Sequence, residues 1–478
     1  MSSYPTLDNF PGEIQLHIFS QIGAHGLSII ARTSKHLNQI ATPLLWNDIE
    51  LHEEGYHESR HEIKVPPPAR DPAHRPYHPK HKWGNGQGAC MKAYLFFEML
   101  QIMHKKNPDR LQQITQRVRY LCTVIDPSWR PVDKDTDSID GEAIQVWHLL
   151  PYFSNLETLE LYGNYYHSQE SEEQVSKIVG SPPKLRFLKL SGYMPREVPV
   201  WLLREADTLE RLELDMLDRP ISTCLSNDPH FTPLPCEKID TDDGSNSESD
   251  YGSLIDDMII PRPLGNVFKD YGDHKLKLPK LGHLFLGQPA ESCSTNDFAT
   301  YSWSKRAESA CYDDWLRILE ASLKTLETLV LEQRPAADYI EGDGYNEDMW
   351  MDERVWSHAS KILLEMVQTV ISSETSQISL KRVYLYGIVS VSEEDDPPFL
   401  DLPAGKFMQF LKDRGVKCEA RRGKWCFFDR QSGSVDWCPW DAAYEDGEED
   451  EDEDMDEDED KGQDAEPKPK WDTVLAKV

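Results

Sequence analysis

A short pattern, Leu-x-x-Leu-x-Leu, recurs along this chain and limits what it can fold into. It occurs as Leu156/Leu159/Leu161, Leu185/Leu188/Leu190, Leu209/Leu212/Leu214, Leu281/Leu284/Leu286 and Leu326/Leu329/Leu331. Leu380/Val383/Leu385 is a weaker copy, and Val118/Leu121 is a candidate to open the series. Alternating leucines in a short run place both side chains on one face of a strand, and the leucine three residues earlier packs where the chain joins that strand. Helix-like segments lie between these runs, at Ile139 to Leu150, Glu172 to Val179, Val200 to Ala206, Asp313 to Lys324 and Glu353 to Ile371. Strand alternating with helix predicts an α/β chain whose parallel strands are joined by crossover helices.

The series resembles a leucine-rich-repeat solenoid with insertions, over about residues 91–440. Only the first unit, LETLELYGN, carries an asparagine, Asn164, where such repeats cap the neighbouring backbone; the matching positions further on are Tyr193 and Leu217. The resemblance therefore implies a short, irregular arc. The residues between the leucines are expected on an exposed sheet face suited to a protein epitope. They include Tyr162 with Thr158 and Glu160, Phe187 with Lys189, Arg211 with Glu213 and Asp215, His283 with Phe285, Thr328 with Glu332, and Arg382 with Tyr384 and Tyr386. Aromatics and charges of both signs fit a protein partner better than a small-molecule cavity.

Residues 7–51 have a different rhythm. In LDNFPGEIQLHIFSQIG, Phe10, Ile14, Ile18 and Ile22 recur every fourth residue, Leu16 and Phe19 widen the stripe, and Pro11 suits a helix start near Asp8 or Asn9. Gly23 and Gly26 interrupt it, and a second helical run carries Leu27, Ile30, Ala31, Leu37 and Ile40 up to Pro43. Leu7, Phe10-Pro11, Glu13-Ile14, Ile18-Phe19, Leu27, Ala31-Arg32-Thr33-Ser34-Lys35, Leu37 and Leu45-Trp46 together resemble an F-box. Arg32-Thr33-Ser34-Lys35 stands where that family usually has Val-Cys-Lys. The resemblance implies a small all-α module that binds the Skp-type adaptor of a cullin-RING (SCF-type) ubiquitin ligase. It assigns the adaptor surface to Leu7, Phe10, Pro11, Ile14, Ile18, Leu27, Leu45 and Trp46. Helices in so short a stretch bury little surface by themselves, so such a module needs a partner or a neighbour to complete it.

The rest of the chain reads as connection and solvent. Residues 52–90 hold a Pro- and His-rich segment, with His57, His61, His74, His78 and His81 but no cysteine at ligand spacing, so it is expected as a linker rather than a metal site. An insertion at about 222–275 is expected to lack fixed structure; its Ser245, Ser247 and Ser249 lie among acids, a pattern an acid-directed kinase could use but one that also arises by chance in such loops. Near the end, FMQFLKDRGVKC reads as a helix stopped by Gly415, followed by a strand-like KWCFFDR. Cys418, Cys426 and Cys438 suit a closing pair of strands better than a metal knuckle. Residues 441–478 read as an acidic, disordered tail.

Charge and cysteine usage exclude several functions. The formal net charge is −33, and fourteen of the residues from Glu445 to Asp460 are Asp or Glu. Such a chain repels phosphate backbones and anionic lipid, so neither nucleic acid nor membrane is expected as a partner. Nine scattered cysteines without a CxxC pair read as reduced thiols, and no apolar run reaches membrane-spanning length. The opening MSSYPTLDNF lacks a signal-peptide pattern, which makes the expected location cytoplasmic or nuclear. No GxSxG, HExxH, Walker A or GxGxxG signature is present, and Glu393 to Asp396 run into Pro397 and Pro398 with nothing apolar to raise a carboxyl pKa. The expected protein is not an enzyme and needs no cofactor. It recruits a protein substrate to the adaptor and cullin, or else acts as a scaffold that keeps the module outside any ligase.

Overall fold

The computed structural model describes residues 7, 10–51, 85–125, 146–163, 178–222, 259–269, 276–290, 305–338, 358–373, 378–386, 388, 402–421, 424–428, 435–439 and 474–477. Within these, the chain is α/β. Nine strands run parallel and pair in chain order: β1 (Asp48–Leu51), β2 (Tyr120–Ile125), β3 (Thr158–Gly163), β4 (Phe187–Tyr193), β5 (Arg211–Ser222), β7 (His283–Ala290), β8 (Thr328–Asp338), β9 (Arg382–Tyr386) and β10 (Lys417–Arg421). The interposed β6 (Ile259–Pro263) lies antiparallel on β5. β11 (Lys424–Phe428) pairs with both β12 (Val435–Pro439) and the far end of β8, and β13 (Val474–Lys477) lies antiparallel on β10.

The register explains why the leucine pattern matters. Ile49, Leu121, Leu159, Leu188, Leu212, Leu284, Leu329, Val383 and Cys418 form one row across the nine strands, and Leu51, Thr123, Leu161, Leu190, Leu214, Leu286, Leu331, Leu385 and Ala420 form a second. The earlier residue of each unit, from Val118 and Leu156 to Leu380 and Val416, is buried in the same core. Each fully buried leucine contributes about 2 kcal/mol, so the leucines of the two rows make a large favourable contribution beside the helix side chains of the same core. Just ahead of the strands the backbone forms its own ladder. The amides of Arg119, Glu157, Arg186, Glu210, Gly282, Glu327 and Lys381 each donate to the carbonyl of the preceding unit, at 2.8–2.9 Å. The series is thus fixed by main-chain pairing as well as by side chains.

Most of the helices cover the leucine face. Their labels in chain order are α1 (Gly12–Phe19), α2 (Ala24–Ala31), α3 (Lys35–Asn47), α4 (Asn85–Lys106), α5 (Pro108–Thr115), α6 (Val146–Leu149), α7 (Glu197–Leu202), α8 (Lys305–Ser322), α9 (His358–Ser373) and α10 (Pro403–Lys412). Cys311, Trp315, Ile318 and Leu319 of α8, then Leu363, Leu364, Val367, Val370 and Ile371 of α9, and Ala404, Phe407, Met408 and Leu411 of α10 make one-sided stripes at helical spacing. Pro403 fits the first turn of α10, where its missing N–H is not needed, and Gly415 at φ +72° turns the chain back into β10. The expected helix at 313–324 begins earlier, at Lys305, and Cys311 adds a turn to its apolar stripe. The expected helix at 200–206 begins at Glu197 and closes in a 3-10 turn. Residues 139–145 and 172–177, expected as helix, lie outside the described residues.

The expected N-terminal helices form, with their boundaries moved. Pro11 sits just ahead of α1 at φ −52°, ψ 145°, and the Ser34 hydroxyl accepts the Leu37 amide at the start of α3. Leu51, the expected end of this module, belongs instead to the sheet. α3 passes without a break into β1, which pairs with β2. Trp46 follows the sheet too: it packs on the main core, its ring centroid 6.2 Å from that of Phe96 on α4. Trp46, Ile49 and Leu51 are therefore a further copy of the repeated pattern.

The terminal segment also departs from expectation. Residues 441–473, including the acidic run, lie outside the described residues, but Val474–Lys477 form β13 and are not an unattached tail. The expected closing pair, β11 and β12, sits on β8, while β10 and β13 end the sheet. The Pro- and His-rich segment through residue 84, the serines at 245, 247 and 249, and the acids at 393–396 are also outside the described residues.

Candidate protein-interaction surfaces

The first surface is built on α1. At 100° per residue, Gln15, Ile18, Phe19 and Ile22 share one side of the segment. Phe19 and Gln15 are fully buried, and Phe19 joins Leu27, Leu37 and Ala41 in a small core flanked by Leu7, Ile18, Ile22, Leu44 and Leu45. The polar Gln15 is satisfied there: its amide donates to the Leu7 carbonyl at 2.9 Å, and its oxygen lies 3.1 Å from His36 Nε2. Ile14 and Leu16 then fall on the two shoulders of the buried side, 46% and 52% exposed, with Phe10 at 39%. Pro11 is also exposed.

The residues expected at an adaptor surface thus separate. Phe10, Pro11 and Ile14 face solvent; Leu7, Ile18, Leu27 and Leu45 pack within the module; and Trp46 packs on the sheet core. A spacing of four carried from Phe10 to Ile22 merged two sides of the helix into one. Leu16 and Ile29, both exposed, were missing from that set. Their alternation with buried positions is the signal that separates them.

The second surface is the sheet face opposite the leucines, where the registers again make rows. One row reads Tyr120, Thr158, Phe187, Arg211, His283, Thr328, Arg382 and Lys417; the next reads Cys122, Glu160, Lys189, Glu213, Phe285, Val330, Tyr384 and Glu419. A third holds Val124, Tyr162, Ser191, Asp215, Gly287, Glu332 and Tyr386. The predicted side is correct, but the expectation of exposure is not. Arg211, Glu213, Asp215, His283, Phe285, Glu332, Tyr384 and Tyr386 are all buried, Tyr162, Phe187 and Lys189 are half-buried, and Arg382 is exposed. Strands about 4.8 Å apart press such large side chains against each other, and Phe285, Val330, Tyr384 and Tyr386 form a second apolar cluster.

Four of the charges on that face, Glu160, Lys189, Arg211 and Glu213, form one paired cluster. Lys189 Nζ lies 3.8 Å from Glu160 and 3.9 Å from Glu213, Arg211 donates to Glu213 through two nitrogens, and the Arg211 guanidinium stands 5.1 Å from the Phe187 ring centre. The Tyr120 hydroxyl donates to Glu160 at 3.2 Å. Burial, reinforced by the Glu160 carboxylate, holds the Tyr120 phenol and the Cys122 thiol far above their ordinary values, so both stay protonated. Cys418 is pushed up to about 12 by burial. These thiols are inert packing groups.

At the C-terminal ends of β3 and β4 the strands come unusually close. A Cβ on Gly163 would lie 1.5 Å from the Tyr193 carbonyl oxygen, and one on Gly192, at φ +72°, would lie 2.3 Å from that of Gly163. Further along, the carboxylate of buried Asp314 on α8 accepts the amides of Val267 and Phe268 at 2.7 and 3.1 Å, pinning the segment that returns from β6. Burial raises this carboxyl to about 6, against the opposing pull of those amides and of Arg317 and Arg196. Sequence reading passed over Asp314, since a lone acid on an amphipathic helix carries no distinguishing pattern.

Among the described residues no group of three or more His, Cys, Asp or Glu is placed to hold a metal, and no helix is long and apolar enough to cross a membrane. No family model matches the chain, and no curated protein matches it.

Proposed function

We propose that this chain is an F-box protein that recruits a protein substrate to an SCF-type ubiquitin ligase. The N-terminal helices bind the Skp-type adaptor, and the parallel sheet with its helical cover is an irregular leucine-rich-repeat arc that supports substrate recognition. The observation that carries the reading is the exposure of Phe10, Ile14 and Leu16 on a module whose inward side is already filled by Phe19, Leu27 and Leu37. Apolar groups left outside a completed core suit a partner's apolar surface. Substrate contact falls to the accessible members of the sheet face, Tyr162, Phe187, Lys189 and Arg382, while the buried ones hold the face together. The reading places the protein in the cytoplasm or nucleus and assigns it no catalytic group.

The test uses the two exposed positions, because Ile18 is part of the module's own core. Phe10→Asp with Ile14→Asp should abolish co-purification with the adaptor and leave the melting temperature unchanged. Burying unpaired carboxylates at the interface costs several kcal/mol, of order 3–5. Adaptor binding that survives both changes would overturn the proposal. Adaptor recovered from cells without cullin would instead mark a scaffold outside any ligase.

A further inference from the structure

The sheet ends on a strand supplied from far along the chain. β10 pairs with β9 on one side, and on the other it receives β13, with Glu419 opposite Lys477, Ala420 opposite Ala476 and Arg421 opposite Val474. Without β13, the outer main-chain groups of β10 would form an open edge, which accepts any extended segment of matching chemistry. The cover is short, and its pairing is irregular between Ala420 and Arg421. Residues 440–473, which contain the fourteen acids, connect it to β12, and mutual repulsion of those charges opposes compact docking.

We propose that the outer edge of β10 is a strand-accepting site, filled within the chain by Val474–Lys477, and that a second segment of the same kind binds there when the cover is lifted. The partner class follows from the register: an extended segment running antiparallel to β10, small or aliphatic at the positions of Val474, Leu475 and Ala476, with a cation opposite Glu419. The occupant proposed is the C-terminal segment of a second copy of this chain, whose fit to the edge is the one seen within the chain. A tethered segment holds the site at an effective concentration of order 1 mM, so the intact protein is self-covered at micromolar concentration.

A fluorescent peptide of residues 467–478 tests this by anisotropy against the full chain and against a chain ending at residue 465. The shortened chain should bind it at least tenfold more tightly than the full chain, since free ligand must otherwise compete with the tethered strand. A peptide with Ala476→Pro, which lacks an amide donor, should not bind. Equal binding to both chains, or none to either, would overturn the proposal. Hydrogen exchange on the full chain gives a second readout should the shortened one fold poorly. Ala476→Pro should accelerate exchange at residues 417–421 and leave 382–386 unchanged, and identical exchange in both regions would refute the edge cover.

Discussion

Replacing Glu213 by alanine should cost far more than a single exposed carboxylate is worth. Its side chain is 3% exposed and it faces two cations, Arg211 and Lys189, which are 11% and 15% exposed. At 3.9 Å and an effective dielectric of about 20, the Lys189 contact alone is a gross attraction of about 4 kcal/mol, with the Arg211 contact at least as strong. Desolvation already offsets much of this, so the net loss is set mainly by buried Arg211, which loses its counter-charge while Lys189 keeps Glu160: about 3–5 kcal/mol. Arg211→Met with Glu213→Leu removes charge from both sides and should lie within about 1.5 kcal/mol of the parent, because the remaining ion, Lys189, keeps Glu160 at 3.8 Å. Urea unfolding of the parent, both single variants and the double variant gives the coupling energy directly. Were Glu213→Ala to cost under 1 kcal/mol, water would be reaching these groups and the paired, buried description of the sheet face would be wrong.

Other outcomes follow from the same geometry. Asp314 holds a proton more tightly when folded, at about 6 against its ordinary 3.8, so its contribution to stability is fully present below about pH 3.8 and is lost as pH rises through 6. The loss is of order 3 kcal/mol. Asp314→Asn should remove that slope, read as the difference in urea midpoint between the two proteins from pH 4 to 7; a difference that is flat with pH would contradict it. Gly192→Ala, strained at φ +72° and blocked by the Gly163 carbonyl, should destabilise by roughly 2 kcal/mol or more, whereas Gly12→Ala, with open space around it, should be near neutral or slightly stabilising. Thermal melts of the pair decide the point, and equal melting temperatures would refute it. Trp46→Ala should lower global stability by about 2 kcal/mol through lost packing on Phe96, measured by the same unfolding assay. An unchanged urea midpoint would place Trp46 outside the sheet core.

The leucine units could be read from sequence because each strand carries its own inward pair, and period-two spacing needs no distant information. Two units escaped that reading for chemical reasons. Trp46-x-x-Ile49-x-Leu51 was absorbed into a helical pattern, and Val416-x-Cys418-x-Ala420 uses residues too small to stand out, although Cys418 and Ala420 complete both core rows at the final strand. Alternation also identified the opposite face but not its burial, since spacing shows where a side chain points and not what presses against it. On α1, the recurrence from Phe10 to Ile22 was visible, while its division between Ile14 outside and Ile18 inside depends on where Leu27 and Leu37 return to meet Phe19. Ser34, Asn107 and Pro403 start their helices by local chemistry, yet none is among the expected helix starts, because each stands apart from the apolar repeats that mark the elements. The antiparallel return of Val474 to β10 has no local signal.

The unbroken passage from α3 into β1 has a mechanical consequence. Asn47 ends the helix, its carbonyl already receives the Arg119 amide at 2.9 Å, and Asp48 begins the first strand of the sheet. No pivot separates the two bodies, so a load applied at Ile14 is delivered to the sheet as torque instead of being absorbed by a swivel. Excision after residue 51 would strip β2 of its neighbour, so the two pieces are one casting and a transplant of the N-terminal segment would carry away a raw strand and leave a raw edge behind.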